Sequence, residues 1–471
     1  MADARQQAVE LYGGAVAQVP GGVEVRDAAA LRGEATDRLV RQAVFGDEQA
    51  REAARWLLWE LGQATGARPA SINGIYMARG RGDCGGFTVP AMNVRVLAYD
   101  TARAIFRAAK AGKAGAIILE IARSEIAYTA QRPAEYVAVM IAAALREGWT
   151  LPLFIQGDHC QVNAKKYADD PEGEVGEVKK LIAEEIAAGF YNIDVDTSTL
   201  VNLQKPTLDE QQKDNYDRCA EITQFIREHE PDGVTVSVGG EIGEVGMKNS
   251  TVEELTAFMD GFNRALAAMG DYAGLSKISV QTGTSHGGVV LPNGKIADVK
   301  LDIEALAALS KVAREKYGLA GAVQHGASTL PADAFGNFPR VEACEIHLAT
   351  NFQSIVFDHP KLPADLRQQM YAWLDENAQS ERKPNDTDEQ FYYKARKKAI
   401  GPFKERLWDL PQQVRDAIAA DLEKTFSFLF EQLNVNGAAE LVDRFIQAPV
   451  RHYAELRPVM ATAADDAEAG E

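Results

Sequence analysis

Eight short β-prone runs recur between about residues 87 and 351, each an apolar stretch ending in polar or glycine-rich residues, with longer segments of helical period between them. They are FTVPAMNV, AGAIILEIA, LPLFIQGDH, YNIDVDTS, VTVSVGGEIG, KISVQTGTSH, AGAVQHGAS and ACEIHLATN. Such alternation is the mark of a parallel sheet covered by helices, and eight repeats suit closure into a (β/α)8 TIM barrel. The intervening segments agree. In EVKKLIAEEIAAG, Val178, Leu181, Ile182 and Ile186 share one helical face and Gly189 ends the run. Thr251 and Glu254 form a capping-box pattern at the start of another helix.

The barrel is expected over residues 86–360. Residues 1–85 read as a helical N-terminal extension, with RLVRQAVFG and REAARWLLWELGQA as its periodic pieces, and residues 361–460 as a helical C-terminal extension. Residues 461–471, acidic and without a base, read as a disordered tail. The formal charge of −18 argues against nucleic-acid binding, which depends on neutralising phosphates with Lys and Arg. It leaves room for a small phosphorylated ligand held locally by a metal and by backbone N–H groups. There is no apolar run of membrane-spanning length, and the start of the chain lacks a secretory pattern, so the expectation is no membrane and a cytoplasmic location. Cys84, Cys160, Cys219 and Cys344 have no C-x-x-C spacing and read as reduced thiols.

If the runs are barrel strands, their C-terminal ends converge on the face that carries active sites in this architecture. Three of the seven histidines lie there: His159 in GDHC, His286 in GTSHGG and His325 in QHGAS. Imidazoles converging from distant strands suit a divalent metal, zinc above all, with a position open for substrate. Glu241 in GGEIGEVG could complete the shell. Asp196 is a candidate for a second cation, a monovalent one included, or for orienting a ligand. Asp158 precedes His159, and neighbours on a strand point to opposite sides, so it reaches the pocket only if a loop begins there. Gly287, Gly326, Ser328 and Thr350 are candidates for phosphate binding, because loops after strands seven and eight commonly hold phosphate in barrels.

FTVPAMNV, GDHC, IDVDTS, GEIGEVG, GTSHGG, QHGAS and ATNFQS occur in the order found in class II fructose-bisphosphate aldolases, and residues 85–400 resemble that family. The resemblance implies a zinc-type metal on His159, His286 and His325, with Glu241 as an additional or alternate ligand. It implies Asp158 as proton carrier and Asn93 as a substrate contact. It also implies Arg396, in EQFYYKARKKAIGPF, as a phosphate-binding arginine offered to a neighbouring subunit in a homodimer or higher homo-oligomer. The implied reaction is reversible cleavage of a phosphorylated ketose, fructose 1,6-bisphosphate or a relative, to dihydroxyacetone phosphate and an aldehyde.

Departures from the family pattern are specific. Met247, Lys248 and Asn249 stand where a mobile-loop acid belongs, leaving Glu244 as its substitute. His347, Leu348, Ala349 and Thr350 replace an Asn-x-Asp-Thr run. Glu120 and Arg123 replace a serine-containing turn, a stretch that also resembles tagatose-bisphosphate aldolase accessory subunits. Two alternatives stay open: a non-catalytic barrel subunit that stabilises a partner aldolase, and a metal-dependent barrel enzyme of other chemistry.

Overall fold

The computed structural model describes residues 2–243, 248–283, 291 and 301–456. All eight runs form strands: β1 Val89–Asn93, β2 Ile118–Ala122, β3 Leu153–Gln161, β4 Asn192–Asp196, β5 Ser237–Glu241, β6 Lys277–Val280, β7 Ala322–Gln324 and β8 Glu345–Leu348. Each pairs in parallel with the next, and β8 pairs back onto β1, so the sheet closes into a (β/α)8 barrel. A closed parallel barrel leaves no open edge, and its strand ends share one rim.

The helix over Pro171–Ala188 shows why the covering segments read correctly. Asp170 caps its first turn by accepting from the Gly173 N–H, and Gly189 ends it at φ 110°, a left-handed conformation that glycine adopts without strain. Val178, Leu181, Ile182 and Ile186 are buried against the barrel, each contributing about 1.5–3 kcal/mol of apolar burial. Thr251 and Glu254 form the expected capping box on the helix Val252–Met269. After β7 the covering helix shrinks to one turn, Asn337–Arg340, preceded by two 3-10 turns. The long helix Gln412–Gln432 lies near this region, with Phe428 packing edge-on against Phe335 and Phe426 against Phe352 beside β8.

The N-terminal segment contains more than helices. VAQV and VEV pair as an antiparallel hairpin, Val16–Val19 with Gly22–Val25, turned through Pro20 and Gly21 with Gly21 at φ 86°. Valine-rich runs on either side of a Pro-Gly turn carry the hairpin signal. Pro69–Ala70 adds a short parallel strand to the start of β3. The next helix, Asn73–Gly80, reaches into the end of the barrel opposite the rim, where the Tyr76 hydroxyl donates to Glu345. The C-terminal segment returns to the N-terminal one: Trp59 Nε1 donates to the Arg451 carbonyl at 2.6 Å, and His452 Nδ1 lies 2.8 Å from Glu60. The four cysteines are unpaired with one another. Among the described residues, no helix is long and apolar enough to cross a membrane.

Behind β3, Glu185 is completely buried, and among the described residues its carboxylate accepts one side-chain hydrogen bond, from the Cys160 thiol at 3.3 Å. A Cβ on Gly157 would lie 2.5 Å from its carboxylate, so glycine there makes room for the acid. Burial pushes Glu185 up to about 8. An acid with a raised folded pKa keeps its proton while the unfolded chain releases it, so the penalty is absent below about pH 4 and grows until pH passes 8. Glu185→Gln is therefore expected to stabilise the protein by on the order of 1–3 kcal/mol at pH 8 and to be neutral at pH 4. Thermal melts at the two pH values check this; a stabilisation equal at both would contradict it.

Candidate active site

The site rests on an unusual barrel interior. Alternate strands of a (β/α)8 barrel contribute layers of side chains, normally branched and apolar. Here the even strands contribute Glu120, Asp194, Lys277 and Glu345, all buried. Lys277 Nζ lies 2.9 Å from Asp194 Oδ1 and 2.5 Å from Glu345 Oε1, and donates to Gln156 Oε1 at 2.8 Å. Gln156 Nε2 donates at 3.0 Å to both Glu120 and Glu345. Lys277 and Asp194 can meet across β5 because Gly239 intervenes without a side chain: a Cβ there would lie 2.3 Å from Asp194 and 2.9 Å from Lys277. Burial opposes the charge on Lys277, but the two carboxylates raise its pKa. Burial likewise opposes ionisation of Glu345, yet Lys277 and His347 hold it at about 2.

Above this layer a cavity of about 260 Å³ opens at the C-terminal ends of the strands. Its walls include Asp158, His159, Asp196, Glu241, His325, Gly326, Ser328 and Thr350, so one rim gathers eight of the residues singled out in the sequence. Asp158 and His159 both reach it, although they are consecutive. The reason is a β-bulge, not the end of the strand. β3 continues to Gln161, but its register with β4 slips between Gly157 and Cys160, and His159 sits at φ 41°. The extra residue turns both side chains to one face, and a non-glycine residue in that backbone region is strained, as functional residues often are.

His159 and His325 lie with ring centroids 4.3 Å apart, and ligand atoms of His159, Glu241 and His325 all fall within 4.8 Å of one another. Two imidazoles and a carboxylate at this spacing fit a divalent transition ion. The supporting contacts are those such ligands require. His159 Nδ1 lies 3.0 Å from Asp196 Oδ2, and His325 Nε2 lies 3.1 Å from the Ser279 hydroxyl. Asp196 is also held by Gln161 Nε2 at 2.6 Å and the Ser198 hydroxyl at 2.7 Å. Burial would favour neutral His159, but Asp158, Glu241 and Asp196 raise it well above the ordinary histidine value. Burial pushes Glu241 up to about 7, assisted by Asp196 and opposed by His159. This electron-rich cluster is electrostatically matched to a cation.

The remaining candidates are placed differently. Asn93 is buried beside the cavity, donating to Glu125 at 2.5 Å and accepting from Arg95 at 2.9 Å; Arg95 and Glu125 form the wall in its place. Arg396 is not brought to the cavity. It is buried in an ion pair with Asp358 at 2.7 Å, donates to Ser354 and stacks on Phe357 and Tyr393, so its own chain already holds the guanidinium. His286, Gly287 and Glu244 lie outside the described residues. Gly326 adopts φ 66° and Ser328 accepts from the Ala349 N–H at 2.7 Å, which joins the rims of β7 and β8.

Two wall residues, Glu120 and His347, mark the departures from the family pattern. His347 Nδ1 lies 3.1 Å from both Glu120 Oε2 and Asp158 Oδ1, while Nε2 lies 2.7 Å from Glu345. Burial raises Glu120 to about 7, with Asp158 adding to the shift and His347 opposing it. The sequence signal for both was a charged or titratable residue inside an otherwise apolar strand.

A parallel barrel with a histidine–carboxylate cluster at its C-terminal rim has the residue types that could hold a metal ion, at the face where barrels of this class carry their sites. The family model for class-II fructose-bisphosphate aldolase matches residues 81–411, well over half of the chain, and the chain belongs to that family. Among solved structures, it is similar to a fructose-bisphosphate aldolase from Campylobacter jejuni, with 18% identity, 79% of this chain and 97% of the other covered, and a TM-score of 0.46. It is also similar to the YdjI aldolase from Escherichia coli K12, with 14% identity, coverages of 73% and 99% and a TM-score of 0.40. For the fructuronate-tagaturonate epimerase UxaE from Cohnella laeviribosi the values are 12% identity, coverages of 83% and 86% and a TM-score of 0.48. No curated protein matches the sequence.

Proposed function

We propose that this chain is a metal-dependent aldolase that reversibly cleaves a phosphorylated ketose to dihydroxyacetone phosphate and an aldehyde. The observation carrying this reading is the gathering of His159, His325, Glu241 and Asp158 around one cavity in a member of the class II family. His159, His325 and Glu241 hold a divalent ion, zinc by ligand type, with His286 as a further ligand. The bound ion supplies Lewis acidity at the ketone and neighbouring hydroxyl oxygens.

Asp158 removes the proton from the hydroxyl whose carbon becomes the aldehyde, and returns it in the condensation direction. His347 Nδ1 lies 3.1 Å from the Asp158 carboxylate on the cavity side. Asp196 orients His159. Gly326, Ser328 and Thr350, on the loops after β7 and β8, line the side of the cavity suited to a phosphate group, with backbone N–H and hydroxyl donors.

A retro-aldol screen of ketose mono- and bisphosphates, detecting triose products with and without chelator, tests the reading. At least one substrate is expected to turn over. Chelation is expected to reduce the rate more than 100-fold and zinc to restore it, since the ion stabilises charge that develops in the transition state. Silence across the panel by metal-loaded protein would rule the reading out. The same screen decides against a non-catalytic subunit if the chain is active alone.

A further inference from the structure

His347 has a setting that the donor set of His159, Glu241 and His325 does not explain. It lies on β8, its ring centroid 4.0 Å from that of His325, and ligand atoms of Asp158, His325 and His347 all fall within 4.8 Å of one another. We propose that His347 is a metal ligand, completing with Asp158 and His325 a second donor set that shares His325 with the first. The proposal rests on the metal dependence argued above, and deepens it.

The orientation of the ring carries the argument. His347 Nε2 lies 2.7 Å from Glu345 Oε1, and that carboxylate is itself fixed by Lys277 Nζ at 2.5 Å and Gln156 Nε2 at 3.0 Å. A histidine whose rear nitrogen donates to an anchored carboxylate presents its other nitrogen as a lone pair in a set direction, which is how metal-binding histidines are held. The forward nitrogen, Nδ1, points to the cavity side, where Asp158 Oδ1 and Glu120 Oε2 lie 3.1 Å away and supply a negative potential. Glu345, Lys277 and Gln156 are positioning residues for His347, and the place of Lys277 and Glu345 on alternate strands accounts for a charged layer in a barrel interior that is ordinarily apolar.

A third cluster, Asp194, Glu345 and His347, has comparable spacing. Lys277 already sits 2.9 Å from Asp194 and 2.5 Å from Glu345, so an ammonium takes the cation's place. The lysine thus directs an ion upward, to the face of His347 that meets Asp158 and His325. Because both open sets use His325, they accept one ion between them.

The test uses cobalt as the probe. Full-length protein stripped by chelation is titrated with Co2+ and followed by visible d–d absorption and calorimetry, in wild type, His347→Asn and His347→Gln, with circular dichroism of each metal-free form. Wild type is expected to bind one Co2+. Both variants are expected to bind 10- to 100-fold more weakly with altered d–d bands. Unchanged affinity and bands in either folded variant would overturn the proposal. If neither variant folds, the anomalous-difference map of cobalt-loaded wild-type crystals decides: a peak about 2.1 Å from His347 Nδ1 supports coordination, and one beyond bonding distance overturns it. Wild-type protein that binds no Co2+ would overturn the metal reading itself, a different result from binding that ignores His347.

Discussion

Asp158→Asn is expected to lower kcat by about 10²–10⁴-fold while leaving metal content at saturating zinc intact. That range is what a positioned acid–base group contributes, and the substitution keeps shape and hydrogen-bonding capacity while removing the ability to carry the proton. The set His159, Glu241 and His325 does not include Asp158, and asparagine keeps an oxygen donor for the set that does, so at saturating zinc the ion retains its principal anchors. Asp158 lies 3.1 Å from His347 and 3.8 Å from His159 Nε2, inside a cluster in which Glu120 and Glu241 are both raised to about 7. Removing one negative charge relieves those neighbours, so the expected loss belongs to the chemical step and not to collapse of the cluster. Steady-state rates with the retro-aldol substrate and metal analysis of the same preparation check this. A variant that keeps wild-type kcat would remove Asp158 from the mechanism; one that loses its metal would make it structural.

The barrel was legible because each strand run is short, apolar and bounded, and because helices such as Pro171–Ala188 carry both their face and their cap in sequence. The two consecutive cavity residues were legible as residue types but not as geometry. Alternation along a strand assigns Asp158 and His159 to opposite faces, and only the register slip against β4 brings them together. His347 stands out in sequence as a departure from the family pattern, but its role is not legible there, because it lies within a strand, with Ile346 and Leu348 beside it, and looks like an interruption of an apolar run. Lys277 opens β6 and Glu345 opens β8, where a charge is easily taken for a solvated strand start. Their meaning depends on four strands closing around one axis, a relation that no local pattern contains. For Arg396, the sequence carries no sign that stacking on Tyr393 and pairing with Asp358 draw its guanidinium inside.

Lys277→Met is expected to destabilise the fold by about 3–5 kcal/mol, the cost of removing one partner from a buried ion pair. The side chains are similar in length, so the loss is not a cavity effect; it is the charge left behind. Glu345 and Asp194 are both buried, and Gln156 would lose the donor to its carbonyl oxygen. His347 lies close enough to offset part of the charge, at 2.7 Å from Glu345 and 3.6 Å from Asp194. Compensation of that kind draws the ring toward the barrel interior and away from Asp158, so the same substitution is expected to weaken metal binding at a site it does not touch. Replacing Lys277 and Glu345 together, as methionine and glutamine, should cost less stability than Lys277→Met alone, because one of the two buried anions is removed with the lysine and only Asp194 is left without it. Chemical denaturation of the single and double variants measures the coupling. Equal destabilisation in the two would show that Glu345 is not the anion Lys277 neutralises, and would detach the charged layer from the site above it.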